Sequence, residues 1–153
     1  MIVVVGPPGA GKSSYVRERV KFGEMVVDVD ELFRAVTLRP MWEKPPQLIG
    51  AVLAVRDYLI ESFEPAWVIS SNARRDYREG MRERFGAEVV VMETPADVCL
   101  ARIEADGRPV AGNDWGGLVA RWWEEYERDE RDEVISPLPS PLPQGEGAGG
   151  DDE

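Results

Sequence analysis

The residues with the plainest chemical use lie near the amino end. Gly6-Pro7-Pro8-Gly9-Ala10-Gly11-Lys12-Ser13 has the spacing G-x-x-x-x-G-K-S, with Ser14 following. Glycines so placed let the backbone curl round a phosphate with its N–H groups inward, at torsions that residues with a Cβ resist. A helix opening directly behind the loop adds the partial positive charge of its first turn. The Lys12 ammonium can then reach the β- and γ-phosphates, and the Ser13 hydroxyl suits Mg²⁺. The spacing predicts that Gly6, Pro7, Pro8, Gly9, Ala10, Gly11, Lys12, Ser13 and Ser14 bind a nucleoside triphosphate, ATP, with its magnesium.

Other residues suit transfer of the terminal phosphate. Asp28-x-Asp30 follows an apolar run, and carboxylates at i and i+2 of an extended strand share one face. Asp30 is expected as the general base for an acceptor hydroxyl, and Asp28 as a metal or water contact. Asp30 equally suits the cap of a helix starting at Glu31. Asn72, after the third strand, can hydrogen-bond an acceptor. In the cluster Arg74, Arg75, Arg78, Arg82 and Arg84, only Arg74 is expected near the cleft. The rest read as a solvated helix face with Arg75 pairing Glu79. Arg108 lies in a glycine-containing loop suited to closing over phosphates, with Arg102 a second candidate on the helix before it. Trp42 reads either as an aromatic floor for a base or as a pin for its loop. Trp122, Trp123 and Tyr126 read as core, as does Cys99.

Positioning these groups takes alternating strands and helices. Ile2–Val5 is a continuous β-branched run, as in a strand covered on both faces. A helix from about residue 12 to 21 is expected behind the loop, with Gly23 as its terminator. Met25–Asp30 reads as the second strand, Glu31–Val36 as a short helix, and residues 39–46, with three prolines, as irregular. A long amphipathic helix from Leu48 to Phe63 ends at Pro65. Trp67–Ser70 is the third strand, Arg75–Phe85 a helix closed by Gly86, and Val89–Met92 the fourth strand. Thr94-Pro95 looks like a cap and first helical residue. A last helix is expected from Leu118 to about Val134. The pattern is that of an α/β domain: a four-stranded parallel sheet, order 2-3-1-4, flanked by helices over residues 1–135. Residues 136–153, acidic and rich in proline and glycine, are expected to be disordered.

Composition narrows the function. With 29 acidic against 18 basic residues the net charge is -11, which argues against a bulk nucleic-acid or membrane-surface binder. There is no histidine and one cysteine, so imidazole-dependent catalysis, the usual zinc sites and an internal disulfide are excluded. No Asn-Lys-x-Asp base reader is present, and the third strand ends in Ser70-Ser71-Asn72 rather than in an acid, against a GTPase switch or motor ATPase. The first apolar run is too short for a signal or a membrane span, so a cytoplasmic protein is expected.

GPPGAGKSS with DVDELFR, and VVVMETP followed by ADVCLARIEADGRP, resemble the polynucleotide 5′-kinase and zeta-toxin-type P-loop kinases, a group often encoded by phages. The resemblance implies a P-loop NTPase fold of AAA type and ATP-dependent phosphoryl transfer to a hydroxyl or phosphate of a nucleoside, nucleotide or nucleic-acid 5′ end. It implies that Asp30 activates the acceptor, Arg34 contacts it, and Arg102 or Arg108 leans on the donor phosphates. Many relatives carry an acid where this chain has Ser70-Ser71-Asn72. The alternatives are a nucleotide-sensing module acting through a protein partner, and a sugar-nucleotide kinase. The sequence leaves the oligomeric state open.

Overall fold

The computed structural model describes residues 1–136. The expected disorder of the tail concerns residues that, apart from Ser136, lie outside that range. Five parallel strands form one sheet in the order β2-β3-β1-β4-β5: β1 (Ile2–Val5), β2 (Val26–Asp28), β3 (Trp67–Ser70), β4 (Glu88–Met92) and β5 (Glu133–Ile135). The expected order 2-3-1-4 holds, with one strand more than the sequence pattern predicts. β1 lies at the centre, its Val3, Val4 and Val5 fully buried, because helices cover both faces and leave no side for polar residues. Val5 pairs in register with Ser70 and Val91, so the carboxyl ends of β1, β3 and β4 open at one edge of the sheet. Ligands of open α/β sheets bind at such an edge.

The helices are α1 (Lys12–Arg17), α2 (Val29–Thr37), α3 (Ile49–Phe63, entered through a short 3₁₀ turn), α4 (Arg75–Phe85), α5 (Ala96–Ala105) and α6 (Trp115–Glu125). α1 is shorter than expected, and Gly23 (φ 91°) lies in the turn before β2 rather than at its end. α4 closes at Gly86 in the left-handed conformation, as read. α6 stops at Glu125 instead of running to Val134. The charged run after it favours helix by composition, but Asp129 folds a local turn, its Oδ1 accepting the Arg131 N–H at 3.0 Å. The chain then returns as β5 along the free edge of β4. Asp114 caps α6 by accepting the Gly117 N–H at 2.9 Å.

α4 departs most from expectation. Arg84 is exposed, as read, and pairs with Glu61, but Arg75, Arg78 and Arg82 grip the segment leading to β5. Arg78 is wholly buried, 3.1 Å from the Asp132 carboxylate, and donates to the Ala73 and Glu127 carbonyls. Arg82 also pairs with Asp132, and Arg75 with buried Asp129 at 3.1 Å. Glu79 pairs with Arg131 rather than with Arg75. Arginine held by burial this way is bound to its partner, because an unpaired charge inside the fold is costly. Trp122 stacks on Tyr126 beneath α4, and the Tyr126 hydroxyl donates to Glu93 at 2.8 Å. These aromatics are core, as read.

Candidate active site

The phosphate loop joins β1 to α1. Gly9 (φ 78°) and Gly11 (φ 93°) hold left-handed torsions. A Cβ on Gly9 would stand 2.5 Å from the Cys99 carbonyl oxygen, so α5 presses against the loop as a mould. Two side chains complete that mould. Thr94, fully buried, donates its hydroxyl to the Ala10 carbonyl at 2.9 Å, and Arg102 donates Nη1 to the same oxygen at 2.9 Å. The peptide bond is planar and trans, so drawing the Ala10 carbonyl toward α5 turns the Gly11 N–H the opposite way. Thr94 is thus not the cap of α5: Pro95 precedes that helix, and no side chain caps it.

Lys12 folds back over the loop, its ammonium donating to the Gly6 and Pro7 carbonyls at 2.8 Å each. Burial lowers its pKa to about 8, with Asp30 and Asp28 opposing the shift. The Ser13 hydroxyl donates to Asp28 Oδ2 at 3.4 Å. Asp28 is held above the ordinary carboxylate range, chiefly by burial and then by Asp30. The other Asp28 oxygen accepts the Asp30 N–H at 2.9 Å and caps α2. The capping role considered for Asp30 therefore belongs to Asp28. Asp30 sits in the first turn of α2, not on the strand, so the two carboxylates meet at a strand-to-helix junction instead of along one extended face.

A cleft of about 1010 Å³ runs from this loop across the sheet edge. Its walls carry Pro8, Gly9, Ala10, Gly11, Lys12, Ser13 and Ser14, with Asp28, Asp30, Asn72, Arg102 and Arg108. Gly6 and Pro7 lie buried beneath, offering their carbonyls to Lys12. Arg108 pairs with Asp106 at 3.0 Å and lies over the Trp115 ring, 5.6 Å from its centroid. Two expected residues fall outside the cleft. Arg34 lines a neighbouring depression of about 790 Å³, 3.8 Å from Glu31. Arg74 is exposed and paired with Asp76 at 2.6 Å. Trp42, half-buried, lines both hollows. Cys99 is buried, its thiol pushed up to about 11 by burial, which suits core and not a nucleophile.

Lys44 and Thr94 were the residues sequence reasoning missed. Lys44 sits in a proline-rich stretch without periodicity, and its ammonium lies 2.5 Å from Asp30 Oδ1. Thr94 carried a capping signal that pointed to the wrong partner.

Ser13 and Asp28 offer one hydroxyl and one carboxylate on the phosphate side of the cleft. Such a sparse oxygen set suits Mg²⁺, which keeps waters and shares substrate phosphates instead of entering an all-protein cage. Among the described residues no helix is long and apolar enough to cross a membrane.

No family model matches the chain, and no curated protein matches it in sequence. Solved structures do match. A gluconokinase from Sinorhizobium meliloti 1021 aligns with TM-score 0.57 and 23% identity over 88% of this chain and 81% of that one. Shikimate kinase from Acinetobacter baumannii, in complex with shikimate, aligns with TM-score 0.55 and 20% identity over 91% and 84%. A chain of an RNA repair complex aligns with TM-score 0.59 and 15% identity over 99% of this chain, which spans 51% of it. At these identities the likeness establishes the fold: an α/β P-loop architecture with a parallel sheet.

Proposed function

We propose that this chain is a P-loop kinase that moves the γ-phosphate of ATP to a hydroxyl on a small molecule or a nucleic-acid end. The observation that carries the reading is the meeting of Lys12, Ser13, Asp28 and Asp30 at one end of a single cleft. Its P-loop fold is shared with a solved gluconokinase, a solved shikimate kinase, and a chain of an RNA repair complex.

In this reading the loop N–H groups hold the triphosphate, and Lys12 leaves the Gly6 and Pro7 carbonyls for the β- and γ-phosphates. Ser13, with Asp28 behind it, would hold magnesium, which would supply positive charge to the β- and γ-phosphates. Asp30 accepts the proton of the attacking hydroxyl. Arg108 moves from Asp106 onto the phosphates as the loop closes, while Arg102 keeps the cradle in shape. Asn72 orients the acceptor. The cytoplasm is the expected place of action. The polynucleotide-kinase and zeta-toxin resemblance favours an acceptor bearing a nucleoside or sugar nucleotide.

The test is transfer of labelled γ-phosphate across a panel of nucleosides, nucleotides, sugars, sugar acids and 5′-hydroxyl oligonucleotides. Lys12→Ala should abolish transfer. Asp30→Asn should keep ATP binding and lower turnover about 10²- to 10⁴-fold, the usual worth of a general base. Tight ATP binding without transfer to any acceptor would replace the kinase with a nucleotide sensor.

A further inference from the structure

Trp42 is the one tryptophan whose ring has no task inside the described fold. Trp67 donates to Glu24 at 3.0 Å, and Trp115 donates to the Pro109 carbonyl at 3.0 Å beneath Arg108. Trp122 and Trp123 pack on Tyr126. Trp42 is half-buried and lines both the cleft and the neighbouring depression. Among the described residues its indole meets no other ring or cation and makes no hydrogen bond. Its place is nonetheless fixed. Met41 and Trp42 are the central residues of a tight turn, closed by the Glu43 N–H on the Pro40 carbonyl at 2.9 Å. Ion pairs of Arg39 with Glu43 and of Lys44 with Asp30 tie the turn down on either side. A large ring held open at a cleft is contact area for a ligand.

The charges speak for a neutral guest. Lys44, Arg56, Arg34 and Arg39 are each paired with a carboxylate, those of Asp30, Asp57, Glu31 and Glu43. These four cations leave no spare positive charge for an acceptor phosphate. Lys12 and Arg102, by contrast, donate to backbone carbonyls, and their charge faces the triphosphate site. An anionic acceptor beside the ATP γ-phosphate would meet like charge with little left to offset it. Asn72 adds a neutral contact: its side-chain oxygen is occupied by the Arg74 N–H at 3.0 Å, which leaves its amide N–H groups to donate. We propose that Trp42 is the acceptor platform, and that the acceptor is an uncharged hydroxyl compound carrying a flat heteroaromatic ring, such as a nucleoside. This rests on the kinase reading above and narrows its substrate class. The ring stacks on the indole, Asn72 donates to a ring nitrogen or carbonyl, and the hydroxyl reaches Asp30 in the same cleft.

The experiment measures kcat/KM for a nucleoside, its 3′-monophosphate, the methyl riboside that keeps the sugar but lacks the base, and a 5′-hydroxyl oligonucleotide. Wild type should use the nucleoside best, ahead of the methyl riboside by about fivefold or more. Trp42→Ala should raise KM for the nucleoside about 5- to 100-fold, the usual worth of a base stacked on an aromatic side chain, with kcat little changed. Its effect on the methyl riboside should be several times smaller. Trp42→Phe should recover most of the nucleoside KM. ATP affinity by calorimetry should be alike in the three proteins, which separates a lost platform from a folding defect. Better use of the 3′-monophosphate or the oligonucleotide, or equal losses for nucleoside and methyl riboside in Trp42→Ala, would overturn the platform and leave the kinase intact. ATP binding with no transfer to any of these acceptors would instead overturn the kinase reading, and the platform with it.

Discussion

The two walls of the cleft are held by different forces. On the phosphate-loop wall, Thr94 and Arg102 grip a backbone carbonyl, and α5 leaves no room for a Cβ at Gly9. On the rest of the lining, Lys44–Asp30 and Arg56–Asp57 are side-chain pairs open to water. Breaking a buried hydrogen bond strands a desolvated group, at a cost of about 1–3 kcal/mol, whereas an exposed ion pair is worth about 0–1 kcal/mol. The first wall therefore keeps one shape, as suits a ligand whose triphosphate never varies. The second can exchange partners, as suits the recognition of one acceptor among many.

The difference can be broken most severely at Gly9. Gly9→Ala adds a Cβ 2.5 Å from a carbonyl oxygen at a left-handed torsion. The loop must leave its cradle shape, and restoring it on binding should cost about 3 kcal/mol, a roughly hundredfold loss of ATP affinity by calorimetry. A thermal melt separates this from unfolding, because the sheet itself is untouched.

Alkaline pH should weaken the same wall by a smaller amount. Lys12 titrates near pH 8 in the free protein, and a bound triphosphate favours its ammonium form. The complex then binds more protons than the free protein above pH 8. ATP affinity should thus fall as pH rises through that value, by up to about tenfold per unit, with proton uptake on binding. Calorimetry in buffers of different ionisation enthalpy measures both. Affinity that is flat from pH 7.5 to about 9.5 would leave Lys12 without this role.

Thr94→Val tests one hydrogen bond of the mould. The shape is kept and the donor lost, so KM for ATP should rise about three- to tenfold with KM for the acceptor unchanged. Arg34→Ala and Arg74→Ala complete the series from the other side. Arg34 lies in the neighbouring depression and Arg74 is paired outside the cleft, so single-turnover rates with a small acceptor should change less than about twofold. A larger loss at Arg74 would extend the acceptor wall onto α4.

Much of the phosphate-loop wall was legible because its chemistry is contiguous. The strand, the glycines, Lys12 and Ser13 lie within one stretch, and their spacing carries its own geometry. Asp28 and Asp30 were legible as a pair, yet their division of labour was not. Both capping and extended pairing suit aspartate, and the point where β2 gives way to α2 decides between them. The basic cluster on α4 was misread for a comparable reason. Arginines at helical spacing look solvated until their partners are known, and Asp129 and Asp132 come from the far end of the described chain.

The amino-acid sequence by itself determined the alternation of strands and helices, the parallel order of the first four strands, and the loop that can hold a phosphate. Those follow from local patterns: runs of β-branched residues, periodic apolar faces and glycines at fixed spacing. Tertiary structure alone decided that Glu133–Ile135 closes the sheet, that α4 clamps the approach to it, that Thr94 braces Ala10, and that Lys44 meets Asp30. Each of those is a pairing between residues far apart in the chain or set by a loop without periodicity. Its energy exists only once the fold has brought both partners together, so no local stretch of sequence carries its signal.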